Sequence, residues 1–272
     1  MLEIQVVSDL HVEFWAKKQQ FNFLKPSAPI LALLGDICCC GYVDDFELFK
    51  RFILELMPLY THIIFIAGNH EYYMQGPKKA ITLLPEHTIA GIDKKIKQFF
   101  KETSPNLHYL NNKVLKLTDG KHTYSIIGST LWTWFPEDMR KAAADTMNDY
   151  NYIYTADADS IRRFTPDDTA YLFTKNKKFL KAQIAKAKKR KHKIVVLTHH
   201  KPYTDKSDTR DVFNHAYESD LSELFDPQIV VWGYGHTHVA DSTIQKGTWF
   251  YSNPKGYPSQ KTKFLRATSI SV

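Results

Sequence analysis

"HIIFIAGNHEYY", His62–Tyr73, joins an apolar run directly to Asn69, His70 and Glu71. Its centre, Ile63–Ala67, is short and rich in isoleucine, which predicts a buried strand. Three lone-pair-bearing side chains at the mouth of such a strand are costly to bury without partners. Either they form an ordinary polar turn in water, or the fold collects them for a purpose.

The same pattern returns four more times. "VVSDLH" ends in Asp9 and His11, "ILALLGD" in Gly35 and Asp36, "VVLTHH" in His199 and His200, and "VVWGYGHTH" in His236 and His238. In open α/β sheets the crevice beyond the strand C-termini is where ligands bind. Alternate residues of an extended segment point the same way, which pairs Asp9 with His11 and His236 with His238. Gly35, Gly68 and Gly235 precede these residues, where a missing Cβ permits sharp turns and close backbone approach. Any one of the polar residues has a structural reading, such as a turn carboxylate or a turn-forming asparagine. Gathered at five strand ends they read as a metal site. Carboxylate, imidazole and amide oxygen without thiolate suit Mn²⁺, Fe or Zn²⁺ better than copper or an iron–sulfur cluster. His62, His87, His108, His122, His192 and His215 lack such company and are expected in core or surface roles.

Further apolar runs at 4–7 and 124–128 predict strands, and helical spacing marks 44–60, 89–102 and the stretch around 172–187. Alternating strands and helices argue for α/β architecture. The C-terminal part, with turn signals at "QKG" and "NPKG", predicts antiparallel hairpins. No linker divides the 272 residues, so a single domain over 1–272 is expected, with 129–166 as an insertion over one end of a sheet. Within that insertion, Trp132, Trp134, Asn148, Asp149, Tyr150, Arg162 and Arg163 are the candidates to roof the site. Surface salt bridges are the default for either arginine; the alternative is a planar fork for a second phosphate.

The net charge of +7 is local. Residues 175–193 hold ten Lys and Arg and no acid; without them, 26 basic side chains face 29 acidic ones. The segment predicts an amphipathic helix with a lysine-rich solvated face, the alternative being a polyanion-binding strip. Cys38, Cys39 and Cys40 are consecutive and have no distant partner for a disulfide, as expected of a reducing, cytoplasmic compartment. Thiolate metal sites usually space their ligands, which argues against one at this triplet. The N-terminus lacks the basic start of a signal peptide, and no run approaches the roughly 18 apolar residues of a membrane span.

The order "DLH", "GD", "GNHE", "THHKP" and "GHTH" resembles the calcineurin-like metallophosphoesterase superfamily. "GSTLWTWF", "MNDYNYI" and "NPKGY" are similar to small bacterial members of it with poorly defined substrates. The resemblance implies a four-layer αββα sandwich of two mixed sheets flanked by helices. It implies two divalent cations, Mn²⁺ first, with Fe, Zn²⁺ or Ni²⁺ as alternatives. Asp9, His11, Asp36 and His238 would hold one; Asp36 would bridge to a second held by Asn69, His199 and His236. His200 would be a neighbour facing substrate, and His70 the imidazole beside the scissile ester. The implied activity is hydrolysis of small-molecule phosphate monoesters or diesters by a metal-bridging hydroxide. A nuclease tracking nucleic acid along the 175–193 lysines and a non-catalytic scaffold are the alternatives. In one place the chain departs from the pattern: the family's Gly-Asp-x-x-Asp ends in Cys39 in this sequence.

Overall fold

The apolar runs become strands in the computed structural model, which describes residues 1–15, 23–74, 82–158, 160–204 and 211–272. β1 (Glu3–Val7), β2 (Ile30–Leu34), β3 (His62–Ile66) and β4 (Leu107–Tyr109) run parallel in that order. β5 (Lys113–Thr118) and β6 (Thr123–Ser129) form an antiparallel pair, and β7 (Tyr154–Ala156) and β8 (Ile161–Arg163) a separate small hairpin. β9 (Lys193–Thr198), β10 (Ile229–Gly233), β11 (Asp241–Gln245) and β12 (Thr248–Ser252) complete a six-stranded mixed sheet in the order β11-β12-β10-β9-β6-β5. β13 (Ile270–Ser271) returns to flank β1 antiparallel, making the first sheet five-stranded and mixed.

Alternation decides the layers. Ile30, Ala32 and Leu34 of β2 and Ile64 and Ile66 of β3 face Tyr124, Ile126, Val195 and Leu197 of the second sheet, forming the core between the sheets. The intervening Leu31, Leu33, Ile63 and Phe65 point outward to the helices α1 (Val43–Leu56) and α2 (Ile89–Thr103). There Phe65 packs on Phe49 and Phe100 at centroid distances of 5.1 and 5.5 Å. Each such fully buried side chain stabilises the fold by about 1.5–3 kcal/mol. The short helices α3 (Arg140–Thr146) and α4 (Asp149–Tyr152) lie in the segment after β6. On the far side, Leu180, Ile184 and Ala187 of α5 (Pro166–Lys189) pack with Ile194 and Val196 of β9. α6 (Val212–Tyr217) follows β9. The result is the expected αββα sandwich.

Local chemistry sets the element ends. The first helix stops four residues short of its expected end, where Pro58 lies in a 3₁₀ turn, Met57–Leu59. α5 starts nine residues before the lysine run, because Thr165 and Asp168 form a capping box around Pro166 at the first helical position. The "QKG" hairpin forms, joining β11 to β12 with Lys246 and Gly247 at positive φ. "NPKG" makes no hairpin: the chain crosses to β1, where Pro254 bridges Ser8 and Gly256 N–H donates to Asp9 O at 2.9 Å. Among the described residues, no helix is long and apolar enough to cross a membrane.

Candidate metal centre

All five strand ends with polar tails open at one edge of the sandwich. Asp9, His11, Asp36, His236 and His238 have φ between 47° and 67°, the left-handed region. Asp and His enter that region more readily than most residues, at a cost of about 1–2 kcal/mol each. The turns are tied to one another through the backbone: Asp9 N donates to Gly35 O and His11 N to Asp36 O, both at 3.0 Å, and Gly235 N to His199 O at 2.9 Å.

Of three groups of ligand-capable atoms among the described residues, each within 4.8 Å internally, two share Asp36: Asp9, His11, Asp36 and His238 in one, Asp36, His199 and His236 in the other. Asp36 belongs to both. Asn69 Oδ1 joins the second group, 3.1 Å from His199 Nε2, which is also 3.1 Å from His236 Nδ1. In the first, His11 Nε2 lies 3.3 Å from His238 Nε2. Hydrogen bonds on the opposite ring atoms assign the tautomers. His199 Nδ1 donates to Leu34 O at 2.8 Å, His238 Nδ1 to Gln260 Oε1 at 2.6 Å, and His11 Nδ1 faces Glu13 Oε1 at 3.4 Å. In the neutral form of these rings, the form that binds metal, the Nε2 lone pairs of all three are thereby turned toward other ligand atoms. Lone pairs facing lone pairs are repulsive until a cation lies among them, so this donor set fits divalent metal.

Beneath the ligands, Glu71 is fully buried. Its carboxylate accepts the backbone N–H groups of Gly68 at 2.6 Å, Ile37 at 2.7 Å, Asp36 at 2.9 Å and Cys38 at 3.4 Å. It thus staples the turn after β2 to the turn after β3. Burial and the Asp36 charge push the Glu71 carboxyl up to about 8, while the Ile37 and Asp36 amides pull the other way. A Cβ on Gly68 would stand 2.2 Å from Asp36 Oδ1, so only glycine lets the two turns meet. Burial disfavours charge on Asp36, yet the His199, His70 and His11 rings outweigh it and hold its carboxyl well below the ordinary range. His199 is correspondingly lifted to about 9, Asp36 overcoming the burial penalty.

The centre opens into a cavity of about 240 Å³ lined by Asp36, Asn69, His70, Asn148, His236 and Tyr257 among others. His70 Nε2 is 3.0 Å from the Tyr257 hydroxyl, and its ring stacks on Tyr73 at 4.1 Å. Burial lowers the His70 imidazole to about 4, with Asp36 and Glu13 opposing. Several residues expected to contact substrate are placed elsewhere. Trp132 is buried against Phe164 and His200, and His200 Nδ1 donates to Thr130 O at 3.3 Å, outside both ligand groups. Arg162 is engaged with Asp157 and Asp168, and neither it nor Arg163 lines the cavity. Arg162 thus makes the surface ion pairs expected by default, which hold the β7–β8 hairpin to the start of α5. Tyr73, Tyr257 and Gln260 line the cavity without having been expected there. Only "NPKG", read as a hairpin turn, marks the crossing that brings Tyr257 and Gln260 to the site.

The model of the calcineurin-like phosphoesterase family matches residues 2–240. The chain belongs to that family. An uncharacterized protein of Acanthamoeba polyphaga mimivirus is 31% identical over 99% of this chain and 96% of its own length. The structure is similar to a phosphopantetheinyl hydrolase from Mycobacterium tuberculosis, with TM-score 0.65 and 16% identity over 94% of this chain and 89% of that one. It is also similar to a dimetal phosphatase from Danio rerio, with TM-score 0.51 and 9% identity over 92% of this chain and 86% of that one. At these identities the likeness is one of fold.

Proposed function

We propose that the protein is a two-metal hydrolase of small-molecule phosphate esters. The observation that carries this reading is Asp36, whose carboxylate belongs to both ligand groups and so sets them side by side. Asp9, His11, Asp36 and His238 would hold one cation, and Asp36, Asn69, His199 and His236 the other. When bound, two such cations supply Lewis acidity, activating water as a nucleophile and neutralising charge on a phosphoryl group.

The chain's own residues supply the rest. Glu71 and Gly68 fix where Asp36 points. His70, with Nε2 on the cavity side beside Tyr257, protonates the departing oxygen once Nε2 has taken up a proton, a contribution typically of about 10²–10⁴ in rate. Among the described residues lining the cavity there is no lysine or arginine, which favours a substrate presenting one phosphoryl group to the metals. The nuclease reading has less support. Lys186, Lys188, Lys189, Lys191 and Lys193 lead into the start of β9, whereas the centre lies beyond its end.

Metal-stripped protein reloaded with Mn²⁺, Ni²⁺, Zn²⁺ or Mg²⁺ tests this on a monoester, a diester, a cyclic nucleotide and single-stranded DNA. Asp36→Ala abolishes turnover, while His70→Ala slows it with metal content unchanged. Loss of metal from the His70 variant would make His70 a ligand or its support, and not the group that meets the departing oxygen.

A further inference from the structure

Glu13 lies two residues after His11, in the 3₁₀ turn Val12–Phe14. One of its carboxylate oxygens, Oε1, faces His11 Nδ1 and accepts from the Cys39 thiol at 3.6 Å. The other, Oε2, is buried with no hydrogen-bond partner among the described residues. Leaving such an acceptor unpaired costs about 1–3 kcal/mol, and more when it is charged. Its complement is close by. His70 Nδ1 is likewise buried and unpartnered, while Nε2 of the same ring is engaged with Tyr257. Ligand-capable atoms of His11, Glu13 and His70 fall within 4.8 Å of one another. The orphaned acceptor and the orphaned ring nitrogen are both buried and belong to residues of this one group, so pairing them would satisfy both.

We propose that Glu13 is the positioning residue of His70: its carboxylate accepts a hydrogen bond from His70 Nδ1–H and keeps Nε2 as the atom presented to the cavity. The departure at position 39 fits this arrangement. Where the family motif often carries an acid, this chain has a thiol that donates onto the Glu13 carboxylate. The acid is thus delivered from the turn after β1. Tyr73, stacked on the ring, fixes its plane, and Glu13 fixes which edge faces out.

The proposal rests on the phosphoesterase reading only for its kinetic arm. In ¹⁵N-histidine-labelled, Zn²⁺-loaded protein, His70, assigned by its disappearance in His70→Ala, is expected as the Nδ1–H tautomer. In Glu13→Met, which removes the acceptor, it shifts toward Nε2–H. At saturating metal, Glu13→Met lowers kcat about 10–100-fold on esters with poor leaving groups and leaves KM within about twofold. Added to His70→Ala, it costs less than about twofold further, because both changes disable one unit. An Nε2–H tautomer in the wild type would overturn the assignment, as would a Glu13→Met cost that persists undiminished without His70. If no ester is hydrolysed, the phosphoesterase reading fails alone and the tautomer still decides.

Discussion

Asn69 Nδ2 donates to Asp149 Oδ1 at 2.8 Å, which turns Asn69 Oδ1 toward His199 Nε2. A carboxylate only accepts, so this bond fixes which way the amide faces. Asp149 is buried, takes a second hydrogen bond from the Tyr73 hydroxyl at 2.6 Å, and stands at the start of α4. Removing it with Asp149→Ala frees the amide to rotate. Metal titration against a competing chelator is expected to show one of two affinities weakened about 10–100-fold and the other little changed. Two unchanged affinities would show that Asn69 does not depend on Asp149.

Glu71→Gln would place an NH₂ group among four backbone N–H donors. The expected loss is about 3 kcal/mol of stability, seen as a lower urea midpoint at unchanged slope. Metal affinity falls with it, since the staple between the Asp36 and Gly68 turns is gone. An unchanged midpoint would mean that these turns hold their shape without it.

The three consecutive cysteines are all buried, and burial, followed for Cys38 and Cys39 by the Glu13 charge, pushes their thiols well up. Burial and then Glu71 do the same for Cys40. Because thiolate is the reactive form, a thiol reagent at neutral pH is expected to label none of them in native protein and all three after denaturation. Rapid labelling of the native protein would show them accessible.

At the start of β3, the end away from the candidate metal centre, His62 Nδ1 lies 3.0 Å from Nε2 of His108 on the neighbouring β4. Burial lowers both imidazoles, His108 to about 4 with His62 adding to the effect. Their folded values lie below the ordinary 6.5, so the unfolded chain binds more protons between these limits. The stabilisation is therefore complete above pH ~6.5 and is lost as pH falls toward about 4. His108→Asn is expected to flatten the fall of Tm across that window by about one proton's worth of slope. An identical slope in the variant would assign the acid sensitivity elsewhere.

Strands and strand-end residues are legible in the sequence because alternation and the switch from apolar to polar are local patterns. "ILALLGD" shows both within a single short stretch. The choice between His199 and His200 is legible for the same reason: the first residue past β9 is the one whose ring enters the ligand group. What surrounds the centre depends on long-range pairing. Tyr257 and Gln260 arrive because Pro254 bridges Ser8 from the far end of the chain, and the local signal there, "NPKG", reads as a hairpin turn and not as a crossing. Arg162 follows the default reading of a surface arginine: Asp168, six residues on and already part of a helix cap, takes its guanidinium in an ion pair.

The left-handed backbone at Asp9, His11, Asp36, His236 and His238 bears on any attempt to retool this protein for softer metals. Installing cysteine at these positions would demand a dihedral that few L-residues other than asparagine, aspartate and histidine adopt cheaply. Asn69 and His199 are absent from the positive-φ residues and so escape that restriction. An engineer seeking a different cargo ion would start with those two.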